Sequence, residues 1–229
     1  MLKKHLSYSL VYLVIAAIHL LGQYLNSTAL IGYTKPLLMV WLAIFLIVKT
    51  ALKGRFHKRV ITGLGFAIIA DFLLFQSINS EQYFIYGLLA FMLCNIFYIR
   101  AFYLDFKSAP ELDKRGARIA IISCAILSTT FFFLLRPHLG GMRVLVLAYI
   151  IVISIMVMMA AFRNQRVNKI SFQLILIGAV LFMLSDALFA YNKFIYSFYG
   201  SNLLIALVYM TAQYLITLGA VERQLVNRG

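Results

Sequence analysis

Eight long apolar runs follow one another along this chain, separated only by short polar segments. A helix needs about 20 apolar residues to cross the hydrocarbon core of a bilayer. With 63% hydrophobic and 12% charged residues, the chain lies outside the composition of soluble domains. We predict an all-α fold, an integral membrane bundle of eight transmembrane helices in a single domain, residues 1–229. The runs are Leu6–Gln23, Thr34–Val48, Val60–Phe75, Tyr83–Tyr103, Ala117–Leu135, Met142–Phe162, Ile170–Tyr191 and Asn202–Val221.

The distribution of charge predicts the orientation of the bundle. A net charge of +14 would suggest nucleic-acid binding in a soluble chain. Here all but four of the 21 Lys and Arg residues fall on one side when the runs alternate in direction, as the positive-inside rule requires of the cytoplasmic side. We therefore predict cytoplasmic termini, no nucleic-acid partner, and the inner (cell) membrane of a bacterium as the location. The four outer residues are Lys35, Arg136, Arg143 and Lys193.

Two aspartates interrupt apolar runs, Asp71 in "IIADFLLF" and Asp186 in "FMLSDALF". Each follows a glycine by eight positions, and they lie 115 residues apart. A weak four-plus-four repeat, about 1–115 and 116–229, is one explanation. Ionisable groups inside membranes are costly and usually face the bundle interior or a cavity. We predict that both lie about one turn before the outer end of their helices and form an acid/base pair, one protonated and one ionised.

Other polar side chains inside the runs are candidates to surround that pair. Each could equally be a hydrogen bond between helices, with no role in a site. Convergence on the aspartates would favour the functional interpretation. The candidates are His19 with Gln23, Asn95 with Tyr98, Tyr149, and Tyr209 with Gln213. The two cysteines, Cys94 and Cys124, lack metal-ligand spacing and are interpreted as packing residues.

The segment "TKPLL", Thr34 to Leu38, is typical of a helix start, because Thr can cap a helix and Pro suits the first turn. In that position Lys35 and the helix dipole would together attract an anion such as a lipid phosphate. The alternative is an interfacial lysine whose side chain extends to the membrane surface.

Five segments, spread in order over nearly the whole chain, resemble the YhhN-type lysoplasmalogenase family of polytopic membrane hydrolases. They are "TKPLLM" from Thr34, "ADFLLF" around Asp71, "FYIRAF" from Phe97, "GAVLFMLSDALFA" around Asp186 and "YMTAQYLITLGA" from Tyr209. Where the family tends to carry an Ala-His pair ahead of the tyrosine of helix four, this chain has Asn95 in place of the histidine. An amide can hydrogen-bond but cannot titrate, so this departure bears on efficiency or substrate preference.

The resemblance implies hydrolysis of the vinyl-ether bond of a lysoplasmalogen to a fatty aldehyde and a glycerophospho-base. The implied partners are a lysophospholipid substrate and membrane lipids. One carboxylic acid would protonate the vinyl ether and the other, ionised, would stabilise the resulting cation and direct water, with no metal or cofactor required. Asp186, whose neighbours are more apolar, is the expected protonated member. The expected substrate-binding residues are Lys35, Asn95, Tyr98, Tyr149, Gln213 and His19.

Two other functions would also use intramembrane aspartates. A lipid or proton-coupled transporter could relay protons through Asp71 or Asp186. An intramembrane aspartyl protease is disfavoured, because neither "IIAD" nor "MLSD" resembles the GxGD motif of that class.

Overall fold

Eight α-helices account for most of the chain in the computed structural model, which describes residues 2–77, 80–109 and 113–226. All eight are long and apolar enough to cross a membrane, which confirms the predicted helical membrane bundle. Within the described ranges, β structure is limited to an isolated bridge between Val167 and Leu225. The helices are α1 (Leu2–Tyr24), α2 (Thr28–Thr50), α3 (Gly54–Gln76), α4 (Glu81–Phe106), α5 (Lys114–Leu135), α6 (Arg143–Ala161), α7 (Lys169–Phe194) and α8 (Ser201–Val221).

Helix α2 begins six residues before the predicted start at Thr34, so the interpretation of "TKPLL" as a helix start is wrong. The side chain of Ser27 caps the helix by accepting from the Leu30 amide, and Pro36 lies in the helix interior. A proline inside a membrane helix is tolerated where neighbouring helices and hydroxyl side chains satisfy the backbone. Lys35 therefore lies two turns inside α2, away from its N-terminal amides.

The two ends of the described chain meet on one face of the bundle. The Nε2 atom of His5, near the start of α1, lies 2.5 Å from the Oε1 atom of Glu222, directly after α8. This contact agrees with an even number of crossings. The assignment of this face to the cytoplasm remains a prediction.

Cysteine labelling at the two ends of α7 tests that orientation. Lys169, at its start, and Tyr199, in the segment that follows it, are both exposed. In a background without Cys94 and Cys124, we expect Tyr199→Cys to react with an impermeant maleimide added to intact cells. Lys169→Cys should react only after permeabilisation, and the reverse pattern would invert the topology.

The packing of the two halves is similar in several respects. The most extensive helix contacts are those of α3 with α4 and of α7 with α8, and α4 packs on α6 as α8 packs on α2. Glycines allow the close approach in both pairs: a Cβ on Gly63 would lie 2.6 Å from the Tyr98 ring, and one on Gly178 would lie 2.9 Å from the Ala212 carbonyl oxygen. These are the glycines eight positions before the aspartates. The repeat, and the single-domain organisation of 1–229, remain predictions.

Candidate active site

A cavity of about 590 Å³ lies between the helices and is lined mainly by apolar side chains. Both aspartates line it, although α3 and α7 belong to different halves of the chain. Lys35 from α2, Tyr149 from α6 and Tyr209 from α8 complete its polar centre. The structure thus brings together Asp71, Asp186, Lys35 and Tyr149 from the predicted site.

Asp71 is buried and both of its carboxylate oxygens have partners. The Lys35 ammonium lies 2.9 Å from Oδ1, and the Tyr209 hydroxyl donates to Oδ2 at 2.9 Å. The Lys35 ammonium also lies 4.9 Å from the centre of the Tyr209 ring, a cation–π contact. Lys35 therefore neutralises a buried carboxylate, which explains how a charged Asp71 is tolerated in the bundle.

Asp186 has a different environment from Asp71. The Tyr149 hydroxyl donates to its Oδ2 atom, and the Nδ2 atom of Asn95 donates in turn to the Tyr149 hydroxyl at 3.4 Å. None of the described Lys, Arg or His side chains forms an ion pair with Asp186, which is only partly buried because it faces the cavity. The two carboxyls thus differ in charge environment: Asp71 has a cation and a phenol as partners, whereas Asp186 has a phenol alone.

The two partners occupy equivalent places in the sequence. Lys35 precedes Asp71 by 36 positions and Tyr149 precedes Asp186 by 37. Each comes from the second helix of a half and meets an aspartate on the third. The two aspartates therefore have partners at similar spacing, but the partner of Asp71 is a cation and the partner of Asp186 is a phenol.

Four predicted site residues do not line the cavity, and three of them, Tyr98, Gln213 and Asn95, connect helices around it. The Tyr98 hydroxyl donates to Gln213 Oε1 at 2.7 Å, and both side chains are buried between α4 and α8. Asn95 reaches the site only through Tyr149. These contacts connect the helices that carry the polar centre, and the predicted role of the three residues in substrate binding stays a prediction.

His19 also lies outside the cavity wall and supports α2. Its Nδ1 atom lies 2.7 Å from the Thr34 hydroxyl, which itself donates to the Leu30 carbonyl oxygen. Because that hydroxyl has a single proton, His19 is the donor from Nδ1 in this contact. His19 thus fixes the turn of α2 that precedes Lys35.

The predicted distance of about one turn from each aspartate to the end of its helix is correct for α3 only. Asp71 lies five residues, somewhat more than a turn, before the end of α3 at Gln76. Asp186 lies eight residues, about two turns, before the end of α7 at Phe194. The prediction placed the end of this helix at Tyr191, because the amphipathic segment "YNKF" lacks the sustained hydropathy of the preceding run.

Two features of the structure are not part of the predicted site: the contact of Tyr209 with Asp71, and a buried cluster around Asp105. Tyr209 was singled out as a polar helix residue but not as a site residue, and it contacts Asp71 directly. Asp105, expected in a loop, is completely buried because α4 continues to Phe106. It binds two guanidinium groups, from Arg163 at 2.8 Å and Arg223 at 2.7 Å. This cluster lies at the face where the termini meet.

The described residues contain no group of three or more His, Cys, Asp or Glu side chains that could hold a metal ion. The expectation of catalysis without a metal stays a prediction.

The family model of the YhhN family matches residues 30–220. The chain belongs to the YhhN family. The human protein named lysoplasmalogenase TMEM86A is 33% identical over 169 residues, which are 72% of this chain and 65% of the human protein. The bovine protein of the same name is 32% identical over the same shares. The match thus spans slightly less than two thirds of these relatives. No solved structure matches the chain.

Proposed function

We propose that this YhhN-family protein is a membrane hydrolase that cleaves the vinyl-ether bond of lysoplasmalogens. The observation that carries the proposal is a pair of carboxyls on one apolar cavity, only one of which has a cationic partner. Vinyl-ether hydrolysis needs a proton donor and a group that stabilises positive charge. The names of the mammalian relatives support the same substrate class.

Asp186 is the proton donor in this proposal. A carboxyl in an apolar site without a cation beside it is favoured in its neutral form, and Asp186 faces the cavity. Protonation of the β carbon of the vinyl ether gives an oxocarbenium ion and leaves Asp186 as a carboxylate. That carboxylate then stabilises the cation, and the Tyr149 hydroxyl keeps it oriented.

Asp71 remains ionised throughout, because Lys35 and Tyr209 hold both of its oxygens. Its negative charge assists the cation and, through the Tyr209 hydroxyl, orients the attacking water. Water adds to the α carbon of the oxocarbenium ion and loses a proton to a carboxylate. The resulting hemiacetal breaks its bond to the glycerol oxygen, which releases the fatty aldehyde and the glycerophospho-base. The logic is that of glycoside hydrolysis by two carboxyls.

Lys35 has a different role here from the predicted phosphate contact. It is the only cationic side chain among the described residues that line the cavity, and its ammonium already pairs with Asp71. We propose that the phosphate of the headgroup stays at the outer mouth, where polar side chains line the rim. These are Gln23, Thr28, Ser77 and Asn202.

The proposed location is a cell membrane, with the site nearer its outer face. The bacterial inner membrane stays a prediction, since both named relatives are mammalian.

Aldehyde release from a 1-O-alkenyl lysophospholipid by the purified protein in liposomes tests the activity. We expect stoichiometric aldehyde and glycerophospho-base, and no product from the saturated 1-O-alkyl analogue, which has no double bond to protonate. Intact substrate moving between leaflets without aldehyde formation would support the transporter instead. Absence of both aldehyde and movement, from a well-folded protein, would reject both functions for this lipid.

A further inference from the structure

Helix α5 covers the cavity only partly. It is the least buried of the eight helices, and Cys124 and Leu135 are its only buried residues. It packs mainly against α6 and makes far fewer contacts with α7. The side of the cavity between α5 and α7 is therefore loosely packed, and we call it the α5–α7 cleft.

The cavity extends into this cleft. Leu127 from α5, with Val180 and Leu184 from α7, line the cavity, and they are 56%, 43% and 45% exposed. Ile177, on the same face of α7, is 51% exposed without lining the cavity, so this face reaches the surface of the bundle and the cavity wall is open beside it. In a membrane-spanning bundle this surface faces lipid, so the opening leads into the bilayer and not into water.

The cleft lies on the inner side of the polar centre. Val180 precedes Asp186 by six residues, or about 9 Å along α7. Under the predicted topology, α7 runs from the inner to the outer face, so the cleft extends from Asp186 towards the middle of the bilayer. The polar rim lies in the opposite direction.

The lining of the cleft suits a hydrocarbon chain. Its two hydroxyls come from Ser128 and Ser154, which are hydrogen-bonded to each other. Ser154 also donates to the Ile150 carbonyl oxygen, so Ser128 must be the donor in the pair and both protons are used. The cleft therefore offers no free hydroxyl donor to a phosphate or an amine, and its other lining groups are apolar.

We propose that the α5–α7 cleft is a lateral opening that seats the alkyl chain of a single-chain lipid, with the far end of the chain in the bilayer. This inference rests on the proposed function for the identity of the lipid. Methylene groups beyond the cleft would stay in lipid, which is as apolar as the protein wall. The rate should therefore become insensitive to chain length once the chain is long enough to pass through the opening.

The test closes the opening with a bulky side chain. Leu184→Trp places an indole in the cleft, whereas Ile177→Trp, two turns earlier on the same face of α7, is a matched control. Ile177 is exposed to a similar degree and does not line the cavity. With long-chain alkenyl substrate, Leu184→Trp should lower kcat/KM by roughly tenfold or more, the cost of overpacking a filled site. Short-chain substrate, which the cavity can enclose, should lose much less activity than long-chain substrate.

Binding of a saturated 1-O-alkyl lysophospholipid in nanodiscs gives a readout that needs no catalysis. We expect the same contrast between long and short chains in Leu184→Trp and none in Ile177→Trp. An equal loss for both chain lengths, or no loss for long chains in a variant with wild-type melting temperature, would overturn the lateral opening. If Leu184→Trp shows this binding contrast but wild type releases no aldehyde, the opening stands and the hydrolase fails. If aldehyde forms without any chain-length contrast, the hydrolase stands and the opening fails.

Discussion

Asp186→Asn should lower the rate of aldehyde release by roughly 10²–10⁴-fold, the range over which a positioned general acid acts. The amide keeps the shape of the side chain and can still accept from the Tyr149 hydroxyl, so the bundle should fold as the wild type does. It has no proton that it can transfer to carbon. The measurement is kcat with a saturating alkenyl lysophospholipid, beside the melting temperature in detergent.

A carboxyl at the start of α4 provides the control. Glu81 is exposed and does not line the cavity, so Glu81→Gln makes the same chemical change without touching the site and should leave kcat unaltered. Wild-type kcat in a folded Asp186→Asn variant would show that Asp186 is not the proton donor and would make Asp71 the candidate.

Variants of the Lys35–Asp71 pair distinguish its role in catalysis from its role in the stability of the bundle. Lys35→Met leaves the Asp71 carboxylate buried without a cation, and Asp71→Asn leaves the ammonium without an anion. Each single variant should lose both stability and activity, because an unpaired buried charge is costly. The double variant removes both charges and should recover much of the stability but not the activity. Recovery of both would mean that the pair has only a structural role.

The membrane helices could be predicted from sequence because hydropathy alone defines them. Their ends could not. Helix α2 starts earlier than "TKPLL" because Ser27 caps it, and Pro36 lies in the helix interior, whereas the preference of proline for the first turn predicted it at the start. Helix α4 carries Asp105 inside the helix, since two arginines distant in sequence neutralise it. A hydropathy profile falls at that carboxylate, because it contains no information on which residues pair with it.

The partners of the aspartates were the least predictable part of the site. Helices that are apolar on nearly every side show no face that must turn inward, so the sequence did not indicate that Lys35 would meet Asp71 or that Tyr149 would meet Asp186. Spacing within one helix grouped Asn95 with Tyr98, whereas the structure pairs each of them across helices. Such pairs depend on helix rotation, which is set by tertiary packing.

Removal of Arg163 should give the largest loss of stability. Its guanidinium donates from Nε to Asp105 and from Nη2 to the Ser171 hydroxyl, and it lies over the rings of Phe56 and Phe102, at 5.6 and 5.4 Å from their centres. Burial lowers the pKa of Arg163, and the Asp105 carboxylate opposes that shift. Arg163→Met should therefore cost about 3–5 kcal/mol, because it leaves a buried carboxylate with one partner fewer.

The stability measurement compares three variants by equilibrium unfolding in detergent. Arg223, the second partner of Asp105, is partly exposed, with 15% of its side-chain area accessible, so Arg223→Met should cost less than Arg163→Met. Asp105→Leu combined with Arg163→Met removes both buried charges. It should be more stable than Arg163→Met alone, because apolar packing can replace a buried ion pair. If the double variant were instead less stable than Arg163→Met, Asp105 would be stabilised chiefly by Arg223 and the cluster would depend on the C-terminal end of α8.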